Sequence, residues 1–153
     1  CDIKPNNILI SKPGAIKIID LGQSCKIGTV KSRIQGTPDY IAPEQVKRKP
    51  LSPKTDIFNL GATMYWALTG KHAPTLIPKK NKFGLPVTVP RRAPHELKKQ
   101  LPIGISKLVM DCIEEDPVGR PTNMMMVISR LDVMVHSIFG GKIKTNQNAA
   151  NNG

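Results

Sequence analysis

Short β-branched runs and turn residues alternate over the first twenty positions of the chain. Residues 7–20 hold two such runs around a Pro-Gly turn at residues 11–14, and this pattern predicts a β-hairpin. Residues 21–41 contain three glycines, one proline and many polar residues, with no sustained hydrophobic period. The segment is therefore expected to be a long loop, and loops of this length usually carry function.

Hydrophobic periodicity in the middle of the chain predicts helices separated by prolines. A short helix is expected to begin near Pro43 and to end before Pro50. Residues 55–68 carry apolar side chains on more than one face, which predicts a helix that is buried nearly all round. Gly70 is expected to end that helix. Residues 71–94 hold five prolines, so we expect irregular structure there.

Two amphipathic helices are predicted nearer the end, over residues 103–115 and 122–136. Thr122 is the expected N-cap of the second helix. Residues 139–153 form a polar, Asn-rich tail, for which we expect disorder.

The chain has a formal net charge of +12 over 153 residues, which raises the question of nucleic-acid binding. The basic residues are scattered, and their densest groups lie beside prolines in predicted loops. Aromatic residues make up only 4% of the chain, so no platform for stacking bases stands out. We therefore expect a solvated basic surface and no specific nucleic-acid partner.

The three cysteines are Cys1, Cys25 and Cys112, an odd number at wide spacing. They form no CxxC pair and have no histidine at metal-ligand spacing. A reducing, cytoplasmic setting is therefore expected. No apolar run approaches the roughly 18 residues of a membrane-spanning helix, so no membrane segment is expected in this chain.

Candidate chemistry is concentrated near the start of the chain. Asp2, Lys4 and Asn7 supply a carboxylate, a cation and an amide oxygen on a turn that leads into the first predicted strand. Transfer of a phosphoryl group needs these three groups: one to orient the attacking hydroxyl, one to neutralise charge on the phosphate, and one to bind magnesium. Asp20 adds a second carboxylate after the second strand, and Gly22 lets the backbone turn sharply beside an ion.

In its motifs and their order, the sequence resembles the eukaryotic-type Ser/Thr protein kinase family over residues 1–138. Residues 2–7 are similar to the catalytic loop, and Asp20-Leu21-Gly22 to the magnesium-binding triplet. Residues 36–44 are similar to the end of the activation segment. Asp56 and residues 116–120 then follow in the family's order.

The resemblance implies an α+β, mainly helical fold: the C-terminal lobe of a kinase, with the small hairpin at its front edge. The implied activity is transfer of the γ-phosphoryl group of ATP, bound with Mg²⁺, to Ser or Thr hydroxyls of a protein substrate. The implied catalytic residues are Asp2, Lys4, Asn7 and Thr37, and the implied cofactor-binding residues are Lys4, Asn7, Asp20 and Gly22, of which Asn7 and Asp20 bind the metal.

The resemblance also implies three contacts between distant residues. Thr37 is expected to bridge Asp2 and Lys4, while Asp56 is expected to bond to the catalytic-loop backbone. Glu44 and Arg120 are expected to form a buried ion pair that ties the activation segment to the last helices; the sequence alone leaves a solvent-exposed arginine as the alternative.

The sequence also departs from the kinase pattern. Cys1 stands before Asp2, where many regulated kinases have an arginine that grips a phosphorylated loop, so control by loop phosphorylation is in question. Leu21 replaces the usual phenylalanine. No residues match the Gly-rich loop or the strand lysine with its glutamate, so the N-terminal lobe is absent from this chain and is an expected partner.

Two consequences are expected from the missing ATP clamp. The chain by itself should lack appreciable kinase activity, and the alternative function is a non-catalytic scaffold or protein-binding module.

Modification is expected at exposed hydroxyl groups that lie near basic residues in the long loop, namely those of Ser24, Thr29 and Ser32.

Overall fold

The computed structural model describes residues 1–12, 14–88 and 90–150, with side chains described for all of these except residue 79 and residues 139–150. The described part is mainly helical, and it contains two small antiparallel sheets of two strands each. No helix among the described residues is both long enough and apolar enough to span a membrane.

The predicted hairpin is confirmed. After a 3₁₀ turn at Pro5–Asn7, strand β1 (Ile8–Ile10) pairs antiparallel with β2 (Ile16–Ile18), with Leu9 opposite Lys17. Gly14 adopts a φ of 87° in the turn, a conformation that glycine reaches without steric cost. Residue 13 of the predicted turn lies outside the described residues.

Two helices in the first half of the chain begin at prolines. Helix α1 is Pro43–Val46, and α2 is Pro53–Thr69. Proline suits the first helical position because that N–H group has no partner within the helix. Gly70 ends α2 in a left-handed conformation with φ 70°, as predicted. Most of α2 is buried, although Trp66 and its neighbour at position 67 are exposed.

The proline-rich segment is more regular than expected. A second hairpin forms from β3 (Lys79–Lys80) and β4 (Pro86–Val87), and a short helix α3 (Pro94–Leu97) follows. The prediction of irregular structure over residues 71–94 is therefore wrong at β3 and β4. Asn81 explains the hairpin, because its side-chain oxygen accepts hydrogen bonds from the N–H groups of residues 83 and 85, which shapes the turn.

Helix α4 (Ile103–Cys112) is shorter than predicted, and α5 (Met124–Ala150) begins later. The N-cap of α5 is Asn123 and not Thr122, since the Asn123 side-chain oxygen accepts from the Met126 N–H at 3.0 Å. The backbone is helical to Ala150, while residues 151–153 lie outside the described residues. Disorder of the tail over residues 139–153 stays a prediction.

The core lies where α2 packs against α4. One group of buried side chains joins this contact to the activation segment, and a second joins it to α5. At Gly61 the helices approach so closely that a Cβ atom there would lie 2.5 Å from the Cys112 Cβ. Helix α2 also contacts residues 1–4, through the side chains of Asp56 and Thr63.

Candidate active site

Asp2, Lys4 and Thr37 form a closed hydrogen-bond network. The Lys4 ammonium donates to Asp2 Oδ2 at 2.7 Å and to the Thr37 hydroxyl at 2.8 Å. The Thr37 hydroxyl donates to Asp2 Oδ1 at 2.9 Å, and the Thr37 N–H donates to the same oxygen at 3.2 Å. The predicted bridge through Thr37 is therefore confirmed. It links Thr37 to Lys4, across 33 positions of the sequence, and to Asp2, across 35 positions.

This network leaves the Asp2 carboxylate partly available. A carboxylate can accept about four hydrogen bonds, and the contacts above occupy two sites on Oδ1 and one on Oδ2. One acceptor site on Oδ2 thus remains for another donor, such as a hydroxyl group. Asp2 is mostly covered, with its side chain 11% exposed, so its orientation is well restrained.

Side chains from α1 and α2 hold the backbone of residues 1–4. Asp56 accepts a hydrogen bond from the Cys1 main-chain nitrogen at 2.6 Å, which confirms its predicted contact with the catalytic-loop backbone. Gln45 donates to the Cys1 carbonyl at 2.7 Å, and Thr63 donates to the Ile3 carbonyl at 3.3 Å. Contacts from α1 and α2 therefore hold the backbone on both sides of Asp2 in place.

Gln45 also connects this loop to the activation segment. Its amide nitrogen donates to the Gln35 carbonyl at 3.1 Å, and its amide oxygen accepts from Asn59 at 3.1 Å. Gly36 packs against it with φ 135°, where a Cβ atom would lie 3.2 Å from the Gln45 amide nitrogen. Only glycine combines this conformation with such close packing, so Gly36 sets the position of Thr37.

Asn7 and Asp20 are the residues predicted to bind metal. Asn7 is buried and donates its amide nitrogen to the Asp2 carbonyl at 2.9 Å, so its side-chain oxygen is the atom that it can offer to a ligand. Asp20 is exposed and has a left-handed backbone with φ 57°. Its Oδ1 accepts from the Gly22 N–H at 3.4 Å, which orients the carboxylate.

These two residues fit magnesium chemically. An amide oxygen and a carboxylate are hard oxygen ligands, and Mg²⁺ typically takes one or two carboxylates together with phosphate oxygens and water. Within the described residues, no group of three or more His, Cys, Asp or Glu side chains could hold a metal ion. The donor set therefore suits a metal that arrives with a phosphate ligand, and it does not form a complete protein cage.

Glu44 and Arg120 form the predicted buried ion pair. Arg120 donates to both Glu44 carboxylate oxygens, at 2.7 and 2.9 Å. Its remaining N–H groups donate to the carbonyls of Lys54, Glu114 and Glu115 at 2.8–3.0 Å. All five donors of this guanidinium are thus satisfied, so the alternative of an exposed arginine is excluded.

The charge of Glu44 depends on these contacts. Burial by itself would raise the pKa of this carboxyl, but the hydrogen bonds and positive charge of Arg120 outweigh it, helped by a backbone hydrogen bond and by the Thr55 hydroxyl at 2.9 Å. The pKa of Glu44 therefore lies below its ordinary value, and the pair stays ionised at neutral pH.

Sequence reasoning missed three positioning residues: Gln45, Asn59 and Thr63. Their polar side chains lie at buried positions of predicted helices, a combination that indicates a hydrogen-bonded role, but the pattern does not reveal the partner. The hydroxyls of Ser24 and Ser32 lie in exposed residues of the long loop, whereas Thr29 is partly buried. Modification at these sites stays a prediction.

Comparison with known proteins agrees with this geometry. The family model of the protein kinase domain matches residues 1–131. The chain therefore belongs to the protein kinase family, and its relatives place it among the Ser/Thr kinases.

Three similar proteins come from two bacteria and the mouse. The chain is 32% identical to serine/threonine-protein kinase A of Synechocystis, with 87% of this chain and 27% of the relative aligned. It is 30% identical to serine/threonine-protein kinase PknD of Chlamydia abortus, over 88% of this chain and 16% of the relative. It is 31% identical to the mouse hormonally up-regulated neu tumor-associated kinase, over 95% of this chain and 20% of the relative. The chain thus spans about a quarter or less of these relatives.

Proposed function

We propose that this chain is the C-terminal lobe of a Ser/Thr protein kinase that transfers the γ-phosphoryl group of ATP to protein hydroxyls. The observation that carries the proposal is the closed network of Asp2, Lys4 and Thr37, in which a restrained carboxylate keeps one acceptor site beside a cation. In the full-length protein, residues 36–44 would dock the substrate peptide. We also propose a cytoplasmic setting, consistent with the three free thiols.

Asp2 acts on the attacking group. A substrate hydroxyl that donates to the free acceptor site on Oδ2 is oriented for attack, and its proton has a carboxylate nearby as the bond to phosphorus forms. Thr37 holds the opposite oxygen with two hydrogen bonds. The carboxylate therefore cannot rotate away from the hydroxyl, which is the orientation that proximity catalysis requires.

Lys4 stabilises negative charge on the transferred phosphoryl group. Its ammonium is held by Asp2 and Thr37, so the cation stays at a fixed place next to the acceptor site. Negative charge on the transferred phosphoryl group is stabilised by a cation that needs no reorganisation. Because Lys4 is charge-paired with Asp2, neither side chain is left uncompensated before substrate binds.

Asn7 and Asp20 would hold the metal through their side-chain oxygens. When bound, Mg²⁺ with ATP supplies the phosphoryl group and neutralises the oxygens of the phosphate chain. Asn7 contributes from a buried position fixed by Asp2, whereas Asp20 contributes from the exposed end of β2. Gly22 has no side chain beside this carboxylate, where a Cβ atom would lie 3.3 Å from Asp20 Oδ1.

An apolar surface supports the proposal that a further lobe completes the enzyme. Exposed large side chains cover both strands of the first hairpin and the start of the long loop: Leu9, Ile10, Ile16, Ile18, Leu21 and Ile27, each at least half exposed. The register places Ile10, Ile16 and Ile18 on the same face of this hairpin, and exposed apolar side chains concentrated on one face mark an interaction surface. We propose that the N-terminal lobe, with its Gly-rich loop and lysine, covers this face.

The direct test is phosphate transfer by the full-length protein that contains these residues. Labelled ATP with Mg²⁺ should yield phosphoserine or phosphothreonine on a generic basic protein, and chelation of the metal should abolish it. Absence of transfer, together with normal nucleotide binding, would instead favour the alternative of a non-catalytic scaffold.

The isolated chain gives a separate test. Without the upper clamp on ATP we expect turnover far below the roughly 1–100 s⁻¹ of ordinary kinases, because positioning of the nucleotide supplies much of the rate. Turnover within that range would contradict the need for the second lobe.

A further inference from the structure

The two cysteines nearest the candidate active site lie side by side. Cys1 Sγ and Cys25 Sγ are 3.9 Å apart although 24 residues separate them. Cys1 immediately precedes Asp2, and Cys25 lies in the long loop that leads to Thr37. This contact therefore joins the catalytic loop to the activation segment at a second point, distinct from the Thr37 network.

Both thiols are reachable from solvent. They are partly buried and line a surface cavity of about 120 Å³, together with Lys26, Asp56 and residues of the α2 N-terminus. The Cys1 side chain is 12% exposed. A small oxidant can thus approach the pair. The Asp56 carboxylate is already engaged by the Cys1 main-chain nitrogen.

We propose that Cys1 and Cys25 are a redox-sensitive pair that closes into a disulfide and locks the activation segment onto the catalytic loop. The sulfur atoms must approach from 3.9 Å to the roughly 2.05 Å of a disulfide bond. Cys1 is held at its nitrogen by Asp56 and at its carbonyl by Gln45. Cys25 belongs to a loop without regular hydrogen bonding at that residue, so Cys25 is the partner that moves.

The reaction balances with a small-molecule disulfide such as oxidised glutathione. The Cys25 thiolate attacks one glutathione sulfur, the glutathione S–S bond breaks, and one glutathione thiolate leaves. The Cys1 thiolate then attacks the Cys25 sulfur and releases the second glutathione. Two protein thiols lose two electrons and two protons, and one oxidised glutathione becomes two reduced molecules. Excess reduced thiol reverses both steps, as expected for a sensor in a reducing compartment.

Cys112 is an internal control. It is fully buried against Gly61, and burial raises the pKa of its thiol to about 12. It therefore stays protonated and shielded while the other two cysteines react.

The test uses the full-length protein, treated with oxidised glutathione and then digested by trypsin in denaturant without reductant. Cleavage after Lys17 and Lys26 separates the two cysteines, so the disulfide is detected as a linked pair of peptides by mass spectrometry. We expect this linked pair in the wild type, its loss on adding reductant, and its absence in Cys25→Ser and Cys1→Ser. Glutathione adducts on either cysteine without the linked pair would overturn the proposal, as would equal linkage after oxidation of the unfolded protein.

Locking of the segment has its own readout under native conditions. Trypsin cleavage after Lys31 and Arg33 should slow several-fold in the oxidised wild type, because a protease must first unfold the loop. The Cys25→Ser variant should be cut at the same rate with and without oxidant. Equal rates in oxidised and reduced wild type, with the linked pair present, would show that the bond does not restrain the loop and would overturn the proposed lock. Neither readout depends on kinase activity, so the proposed function and this inference fail separately.

Discussion

Arg120 binds the Glu44 carboxylate through two hydrogen bonds of 2.7 and 2.9 Å, across 76 residues of sequence. Both side chains are almost completely buried, at 0% and 5% exposure. The guanidinium also lies over the Phe58 ring, 4.9 Å from its centre. This pair is the main polar connection between the activation segment and the turn that precedes α5.

Loss of either partner should be strongly destabilising. Glu44→Ala or Arg120→Ala leaves a buried charge unpaired, which costs about 3–5 kcal/mol of unfolding free energy. The double variant should lose much less than the sum of the two, and Arg120→Lys should not restore stability, since lysine cannot form the paired contact. Denaturant melts of the four variants measure these values.

The exposed pair of Lys47 and Glu115, with an N···O distance of 2.6 Å, is the matched control. Its two side chains are 43% and 58% exposed, so truncation should change the free energy of unfolding very little. Similar losses at both pairs would contradict the special role of Glu44 and Arg120.

Glu44 should also make stability depend on pH. Its pKa in the folded protein lies below the value of 4.5 for a free glutamate, so the ionised pair contributes its full stability above about pH 4.5. That contribution is lost as pH falls through the folded pKa. Glu44→Gln should be less stable at neutral pH and should lose less stability on acidification. Urea melts between neutral and acidic pH give the two slopes; equal slopes would contradict the assignment.

The Thr37 hydroxyl should matter for turnover more than for nucleotide affinity. Thr37→Ala removes the hydroxyl bonds to Lys4 and Asp2 but keeps the N–H bond to Asp2, so kcat of the full-length kinase should fall by roughly 10- to 100-fold. KM for ATP should change little, and Thr37→Ser should keep most of the activity.

Thr75→Ala provides the control for Thr37. The Thr75 hydroxyl donates to the Pro38 carbonyl at 2.8 Å, one residue beyond Thr37 but away from Asp2. Steady-state kinetics should show little change in this variant. A comparable loss in both variants would indicate that the whole segment is sensitive and that the Thr37 bridge has no particular role.

Helix packing gives a prediction that is independent of chemistry. Gly61→Ala would place a methyl group 2.5 Å from the Cys112 Cβ, so α2 and α4 must separate, and we expect a loss of about 1–3 kcal/mol. Gly104→Ala is the control, because its added carbon meets the flexible Met134 side chain at 3.0 Å. Thermal melts should show a much smaller change for Gly104→Ala.

The sequence could predict the hairpin, the position of the buried helix α2 and the contacts that the family motifs imply. Those contacts could be predicted only from the family motifs. The local sequence around Thr37 does not indicate a partner 33 residues away, and the local sequence around Arg120 does not indicate one 76 residues away. The β3–β4 hairpin was not predicted, because the prolines in this segment indicated irregular structure and the turn depends on hydrogen bonds to the Asn81 side chain. The N-cap of α5 shifted by one residue, as expected where Thr and Asn are adjacent and both can cap.

Other parts of the site depend on packing that no local pattern shows. Gln45, Asn59 and Thr63 act through partners on distant segments, and the approach of Cys1 to Cys25 depends on how the long loop folds back. In such a loop the chain has no periodicity from which a contact could be read.

In the proposed mechanism, Asp2 acts on the substrate hydroxyl while Asp20 acts on the metal-bound nucleotide. The decisive measurement compares Asp2→Asn with Asp20→Asn in the full-length kinase, by phosphate transfer and by affinity for ATP in the presence of Mg²⁺. We predict that Asp2→Asn suppresses turnover and leaves nucleotide affinity nearly unchanged, whereas Asp20→Asn weakens Mg²⁺-dependent nucleotide binding. Equal loss of nucleotide affinity in both variants, or normal turnover in Asp2→Asn, would contradict this account.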